Sequence, residues 1–299
     1  MKKVDKIWLD GKLVDWKDAK VHVLVNALHY GSAVFEGIRC YETDHGGAVF
    51  RLPEHIDRLF YSASCLGIKT GFSKDQISKA IIDLVKINKI KECYVRPLIF
   101  CGEGNLGLNI SSIPTSVAVA VWPWGSLLGG KESSAIISSY RRLSPRSAPI
   151  DAKVSGYYAN SIIASAEAKK KGADEAILLD DDGYIAEGAG ENIFIVRNSK
   201  IYTPAKGAIL PGITRDSVIQ IAKDIDVKVI EKKISVDELK NADEVFFTGT
   251  AVEVCPVVKI NNHKVGNGIS GSITLRIKEE YSKTVRGQNK KYKKWLTVI

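Results

Sequence analysis

A lysine set among small residues is the first group in this chain that could do chemistry. Lys153 stands in Asp151-Ala152-Lys153-Val154-Ser155-Gly156-Tyr157-Tyr158, away from the basic runs found elsewhere. A lysine is solvated surface by default. Buried, it would have a depressed pKa and could attack a carbonyl carbon. A second group is Ala186-Glu187-Gly188-Ala189-Gly190-Glu191-Asn192, two carboxylates in a glycine-rich bend. Either this is an irregular bulge with surface acids, or something approaches its backbone. Two further segments could seat an anion. Leu210-Pro211-Gly212-Ile213-Thr214-Arg215 leads into a helical pattern, whose open N–H groups and positive dipole end favour phosphate. The plainer reading is an ordinary helix start with Thr214 as N-cap. Phe247-Thr248-Gly249-Thr250-Ala251 is a strand entering a turn of small residues, which either ends the strand or lets backbone come close to an anion.

Two strand patterns carry arginines. At period two, Phe35, Gly37, Arg39 and Tyr41 share one face, as do Tyr94, Arg96 and Leu98. Arginine between aromatic neighbours is either on a solvated face or a receptor for carboxylates in a pocket. Taken together these are a lysine, an acid in a glycine-rich bend, two anion seats and two strand arginines. Pyridoxal phosphate requires that set: an amine for its aldehyde, an acid for its ring nitrogen, seats for its phosphate and cations for substrate carboxylates.

Helical and strand patterns alternate throughout, so the expected class is α/β or α+β. A hairpin turns at Asp10-Gly11, and a strand is expected over Val34 to Thr43 with a partner from Ala48 to Leu52. Pro53 opens a helix to about Leu66, stopped by Gly67, and Ser73 with Gln76 forms a capping box for the next. Strands are expected at Cys93–Cys101 and Thr115–Trp122, separated by a Gly- and Asn-rich loop. Pro123 to Lys131, with three glycines, reads as the linker between domains at 1–122 and 132–299. The second domain starts with a strand at Ala135 to Tyr140 and a helix from about Tyr157 to Lys171. A hairpin around Asp180-Asp181-Asp182-Gly183, a helix over Arg215 to Asp224 and a last helix from Ser270 complete it.

Composition narrows the partners. The chain has 299 residues, 45% hydrophobic and 26% charged, enough for full cores without staples. Its net charge of +9 is spread out, with the densest cluster at Lys290, Lys291, Lys293 and Lys294 before Trp295. That cluster reads as a solvated helix end or tail rather than a nucleic-acid stripe, and a basic surface would favour anionic small substrates. Five cysteines without C-x-x-C spacing read as reduced thiols in a cytoplasmic protein, with no metal site among them. Asp5, Lys6 and Asp10 break any signal-peptide core, and no apolar run is long enough to span a membrane.

The chain resembles the branched-chain amino acid aminotransferases of the fold-type IV pyridoxal-phosphate class. The matching stretches are Tyr30-Gly-Ser-Ala-Val-Phe-Glu-Gly-Ile-Arg39-Cys-Tyr41, His55-Ile-Asp-Arg58-Leu, Tyr94-Val-Arg96-Pro, Glu187-Gly-Ala-Gly-Glu-Asn192, Leu210-Pro-Gly-Ile-Thr-Arg215 and Thr248-Gly-Thr-Ala251. They run in order over nearly the whole chain. The resemblance implies two α/β domains with the cofactor at their interface, and reversible transfer of the amino group of leucine, isoleucine or valine to 2-oxoglutarate. By the same resemblance Lys153 takes the cofactor's aldehyde and shuttles the proton. Tyr158 bonds its phenolic oxygen, Glu187 faces its ring nitrogen, and Arg58, Ile213, Thr214 and Thr250 hold its phosphate. Tyr94 with the N–H groups of Thr250 and Ala251 takes the α-carboxylate. Phe35, Gly37 and Trp124 wall the side-chain pocket, Arg96 receives glutamate's second carboxylate, and Arg39 supports that wall. Tyr30, Leu106 and Leu108 reach across a homodimer or larger homo-oligomer.

One departure stands out. Many members of that family have Tyr three residues after the linker Trp, where this chain has Leu127, so one hydroxyl that could help a γ-carboxylate is missing. D-Amino-acid aminotransferases and aminodeoxychorismate lyases would use the same lysine, acid and phosphate seats; Arg39 and the Tyr94/Arg96 pair favour L-leucine. A basic nucleic-acid-binding protein is the non-enzymatic alternative.

Overall fold

The computed structural model describes residues 3–124 and 132–299. The chain forms two compact units: Met1–Gly125 with Ala152–Tyr157 and Thr284–Ile299, and Ser126–Asp151 with Tyr158–Lys283. A division at Pro123 to Lys131 cuts the chain once, whereas the first unit also takes back two later stretches, one of which carries Lys153. Most of that linker lies outside the described residues.

In the first unit the strands are β1 (Lys6–Leu9), β2 (Lys12–Asp15), β3 (Ala33–Phe35), β4 (Ile38–Thr43), β5 (Gly46–Phe50), β6 (Cys93–Cys101) and β7 (Thr115–Pro123). The helices are α1 (Asn26–Tyr30), α2 (Leu52–Cys65) and α3 (Lys74–Ile87). The sheet runs β5-β4-β6-β7-β1-β2, with β3 also on β6 and a C-terminal strand, Leu296–Val298, on the outside of β5. Alternation sorts its two faces. Val34, Ile38, Cys40, Val95, Ile99, Val117, Val119 and Val121 face the core, closed by Ile56, Leu59 and Ala63 of α2 and Ile77, Ile81 and Leu84 of α3. The capping box expected at Ser73 and Gln76 starts α3.

The single strand expected over Val34 to Thr43 is interrupted at Glu36-Gly37. Pro97 lies opposite and has no N–H to give, so a ladder bond is lost. Glu36 N still donates to Pro97 O at 3.0 Å. Pairing resumes in the same register, Phe35 with Leu98 and Ile38 with Val95. Phe35, Gly37 and Arg39 therefore keep one common face.

The lysine cluster is a solvated helix end, one of the two forms expected of it, on a segment that also buries its aromatic residues. Residues Lys290–Trp295 form a 3-10 helix that buries Tyr292 and Trp295 and leaves its lysines outside. Trp295 packs edge-on against Phe50 at 5.9 Å, and the Arg51 guanidinium lies 4.6 Å over the indole.

The second unit contains β8 (Ser133–Arg141), β9 (Glu175–Leu179), β10 (Ile185–Gly188), β11 (Asn192–Arg197), β12 (Lys200–Thr203), β13 (Val229–Glu231), β14 (Glu244–Gly249), β15 (Glu253–Ile260) and β16 (His263–Lys264). Its helices are α4 (Tyr158–Lys170), α5 (Ile213–Asp224), α6 (Val236–Lys240) and α7 (Ser272–Val285). The sheet order is β10-β9-β8-β15-β14-β11-β12-β13, mixed parallel and antiparallel, with β16 on β15. Ala164 and Ala168 of α4 pack on Ile136, Ala176 and Leu178. Ile177, Ile193, Ile195, Val245, Phe247 and Val257 form a second cluster with Leu239 of α6. The last helix starts at Ser272 rather than Ser270, whose backbone and hydroxyl both donate to Glu132 Oε1.

Candidate active site

In the first unit, Lys153 lies between β3 and α2, in a stretch whose neighbours Ala152 and Val154 are buried in the core. Val154 bridges Val34, Phe35 N donates to Lys153 O at 3.2 Å, and Lys153 N donates to Ser62 Oγ at 2.8 Å. Ser62, fully buried, in turn donates to Arg58 O at 2.8 Å. The backbone of Lys153 is thus fixed on both sides, while its ammonium lies 5.0 Å from the centre of the Phe35 ring. Gly156 leaves this stretch past Gly31, where a Cβ on Gly31 would strike Gly156 Cα.

Phe35, Gly37, Tyr94 and Arg96 come together on the face away from the core. A side chain at Gly37 would run into the Tyr94 hydroxyl, so glycine is what lets that ring keep its place. Tyr94 stacks on its cross-strand partner Trp122 at 5.1 Å and meets Trp124 at 5.4 Å. The Arg96 guanidinium lies 4.6 Å over Phe35 and donates from Nη2 to Tyr94 Oη at 3.4 Å. It has no acidic partner among the described residues, and its Nε is buried without an acceptor. Aromatic rings hold this cation in place while its charge stays uncompensated. Arg39 differs: fully buried, it pairs with Glu92 at 2.8 Å, donates to Trp124 O at 3.4 Å and stacks over Tyr41. Leu127 lies outside the described residues.

Arg58, on α2, donates from Nε and Nη2 to the two oxygens of Glu36 at 2.6 and 2.9 Å. His55, one turn earlier, reaches Glu36 Oε2 from Nδ1 at 2.7 Å. Burial alone would raise the Glu36 pKa, but the Arg58 charge and the His55 contact outweigh it and hold the carboxyl well below the usual carboxylate range. Burial lowers the His55 pKa, and because an ionised carboxylate can only accept, Nδ1 is the donor. Glu36 and His55 escaped the sequence reading, although Glu36 alternates with Val34, Ile38 and Cys40 on the core face, where an acid is out of place.

In the second unit, Glu187 sits buried on β10 with both oxygens engaged. Arg142 Nε donates to Oε1 at 2.5 Å, and Asn192 Nδ2 and Leu210 N both donate to Oε2 at 3.1 Å. Asn192 also donates to Leu210 O at 2.9 Å, which ties the glycine-rich bend to the start of α5. Arg142, just past β8, had no sequence signal beyond being basic at a strand end. Glu191 faces its own bend: Gly190 N donates to Oε2 at 3.0 Å, and Gly188 N to the Glu191 carbonyl at 2.7 Å.

Gly212, not Thr214, is the N-cap of α5, and no side chain caps that helix. Thr214 is buried inside the first turn because the helix begins two residues before Arg215. A Cβ on Gly212 would strike Asn192 Oδ1. The neighbouring strand β14 ends in Thr248-Gly249 before the turn at Thr250 and Ala251, and the buried Thr248 hydroxyl has no partner among the described residues. An uncapped helix start and an orphan hydroxyl beside a fixed carboxylate suit a phosphorylated pyridine, the group types the sequence called for. Tyr158 opens α4. Tyr30, Leu106 and Leu108 are exposed in the isolated chain, Leu108 at 84%.

Residues 33–260 match the family described as amino-transferase class IV. The branched-chain-amino-acid aminotransferase of Pseudomonas aeruginosa is 42% identical, covering 98% of this chain and 97% of its own. The enzyme of the same description from Escherichia coli K12 is also 42% identical, covering 100% and 98%. A crystal structure of the branched-chain amino acid aminotransferase of T.th., complexed with N-(5'-phosphopyridoxyl)-L-glutamate, superposes with a TM-score of 0.96 at 45% identity, over 100% of this chain and 99% of that one.

Proposed function

The chain belongs to amino-transferase class IV and its chemistry is pyridoxal-phosphate-dependent transfer of the amino group of branched-chain amino acids; we propose that its side chains divide that work as follows. The cofactor, when bound, supplies an aldehyde that accepts the amino group and a ring that takes up the electrons left at Cα. Lys153 is the amine that carries it and moves the Cα proton, with a backbone fixed so that only the side chain swings. Glu187 holds a proton at the ring nitrogen, kept in place by Arg142, Asn192 and Leu210 N. Tyr158 bonds the phenolic oxygen. Arg58, the N–H groups of Ile213 and Thr214, and Thr250 grip the phosphate. Tyr94 and the N–H groups of Thr250 and Ala251 take the α-carboxylate.

The amino donor is leucine, isoleucine or valine and the acceptor is 2-oxoglutarate. The observation that carries this pairing is Arg96, a cation laid over the apolar ring of Phe35 with no acidic partner among the described residues. An apolar side chain meets Phe35, Gly37 and Trp124, while a second carboxylate meets the guanidinium. Arg39 is fixed by Glu92 and braces the Trp124 backbone. A second copy of the chain supplies Tyr30, Leu106 and Leu108. Exposed Val23, Leu24, Leu28 and Tyr30 adjoin the loop holding those leucines, since Asn26 donates to the Gly107 carbonyl at 3.1 Å. The reading places the enzyme in the cytoplasm, in keeping with five free thiols. Among the described residues no helix is long and apolar enough to cross a membrane.

The test is the visible spectrum of the purified holoenzyme. L-Leucine should convert the absorbance at roughly 400 nm to the aminated form of the cofactor, and 2-oxoglutarate should restore it. Conversion by D-alanine but not L-leucine would overturn the assignment. Light scattering that finds only monomer would overturn the shared site.

A further inference from the structure

Glu36 is an acid at a core position. It is fully buried on the sheet face of Val34 and Ile38 that Ile56 and Leu59 of α2 close over, where an apolar residue of similar volume would pack without desolvating a charge. Its carboxylate is nevertheless saturated with donors: Arg58 Nε at 2.6 Å, Arg58 Nη2 at 2.9 Å, His55 Nδ1 at 2.7 Å and Gly37 N at 3.3 Å. The two-pronged contact fixes the guanidinium plane as well as its position, since two parallel bonds leave no freedom to rotate about either. His55 is as deeply buried, and its Nδ1 and Gly37 N both hold Glu36 Oε2, so the acid has anchors other than the arginine.

We infer that Glu36, secured by His55, is a positioning residue for the cofactor's phosphate: it fixes Arg58 in the one orientation from which that arginine grips the anion. This rests on Arg58 being a phosphate ligand. The anchor also has a consequence for the substrate pocket. Glu36 lies in sequence between Phe35 and Gly37, so the backbone that shapes the apolar wall is the one that carries the arginine's anchor. A shift of Arg58 is therefore transmitted to the wall, and a shift of the wall to Arg58.

The experiment titrates apoenzyme with pyridoxal phosphate and, separately, with pyridoxal, which lacks the phosphate, following bound cofactor by absorbance. Thermal melting of each apoenzyme reports the fold. In Glu36→Gln the charge is lost and the shape kept. Its affinity for pyridoxal phosphate should fall about ten- to a hundredfold, by analogy with the loss when the partner behind a metal ligand is removed, with pyridoxal binding unchanged. Glu36→Asp retains the charge but draws it back by one methylene, and gives the same selective loss to a smaller degree if the amide variant does not fold. A parallel loss of both ligands, or a lowered melting temperature with the affinity ratio unchanged, would make Glu36 a packing residue only and overturn the inference. Arg58→Gln separates the two levels. If it too leaves the ratio unchanged, Arg58 is not a phosphate ligand and the underlying reading fails; if it lowers the ratio and Glu36→Gln does not, only the positioning role fails.

Discussion

Arg142 Nε and Glu187 Oε1 face each other across 2.5 Å inside the second unit, both nearly excluded from solvent. The acid proposed to serve the ring nitrogen is thus held by a buried cation. Removing one partner of a buried pair strands the other, at a cost of about 3–5 kcal/mol. Arg142→Ala should lose stability on that scale. Adding Glu187→Gln to it should cost much less than Glu187→Gln costs alone, because the stranded charge is gone. A double-mutant cycle in urea checks this, and additive losses would mean that the two residues do not depend on each other.

Lys153→Ala should abolish turnover and the long-wavelength absorbance of the holoenzyme. Cofactor should still bind through its phosphate, because the helix start of α5 and Arg58 are untouched. Borohydride reduction of the wild type followed by peptide mapping locates the modified amine. A pyridoxyl adduct on any other lysine would remove Lys153 from its role.

Gly37 is held to glycine by the Tyr94 hydroxyl. In Gly37→Ala the methyl group pushes the Tyr94 ring away, and with it the Arg96 bond. A displacement of about 1 Å in a positioning group can cost on the order of a hundredfold in rate. We expect kcat/KM for leucine to fall by about that factor while circular dichroism and melting temperature stay near wild type. Unchanged kinetics would show that Tyr94 plays no part in holding substrate.

The candidate site residues stand out in the sequence because they break local rules. Lysine among small residues, acids among glycines and arginines between aromatics are each odd where they stand, and the strand register later joined Arg39, Tyr94 and Trp122 into one row. The sequence was silent where the information lies in pairing across long separations. Nothing near Arg142 indicates that it meets a carboxylate 45 residues on. Nor does local pattern reveal that Ala152–Tyr157 returns to the first unit, since the contact with Val34 that draws it there spans over a hundred residues. Glu36 was visible and overlooked: the alternation that put Phe35 and Arg39 on one face puts Glu36 in the core. Thr214 was misplaced by the habit of seeking a hydroxyl at a helix start, whereas Gly212 takes that place because Asn192 leaves no room for a side chain.

Glu191 should make stability fall as pH rises. Burial, then the charge of Glu175, pushes its carboxyl up to about 8, and burial raises Glu175 as well. The folded state therefore keeps a proton that the unfolded chain releases near the ordinary value of 4.5. Between these limits the folded state binds more protons, so the stabilisation fades with rising pH. Glu191→Gln carries no such proton and should lose less melting temperature than wild type between about pH 5 and about pH 8. Parallel profiles for the two proteins would show that Glu191 is ionised in the folded state throughout.

In the proposed division of work, Arg96 lets one apolar pocket receive two unlike side chains. Its guanidinium is kept over the Phe35 ring at 4.6 Å and bonded to Tyr94, so its position is set before any ligand arrives. Its stem is apolar and can lie along the wall that leucine touches, while the charged end meets a second carboxylate. Arg39 cannot take over this task while Glu92 holds its Nη2. Arg96→Ala should therefore damage the 2-oxoglutarate half-reaction far more than the leucine half-reaction. A hydrogen bond to a charged group is worth about 1.5–3 kcal/mol, which corresponds to roughly a ten- to hundredfold selective loss in kcat/KM. Single-turnover kinetics of each half, followed by cofactor absorbance, measure it directly. Equal losses in both halves would show that Arg96 supports Tyr94 and the α-carboxylate common to both substrates, and that the second carboxylate is recognised by another group.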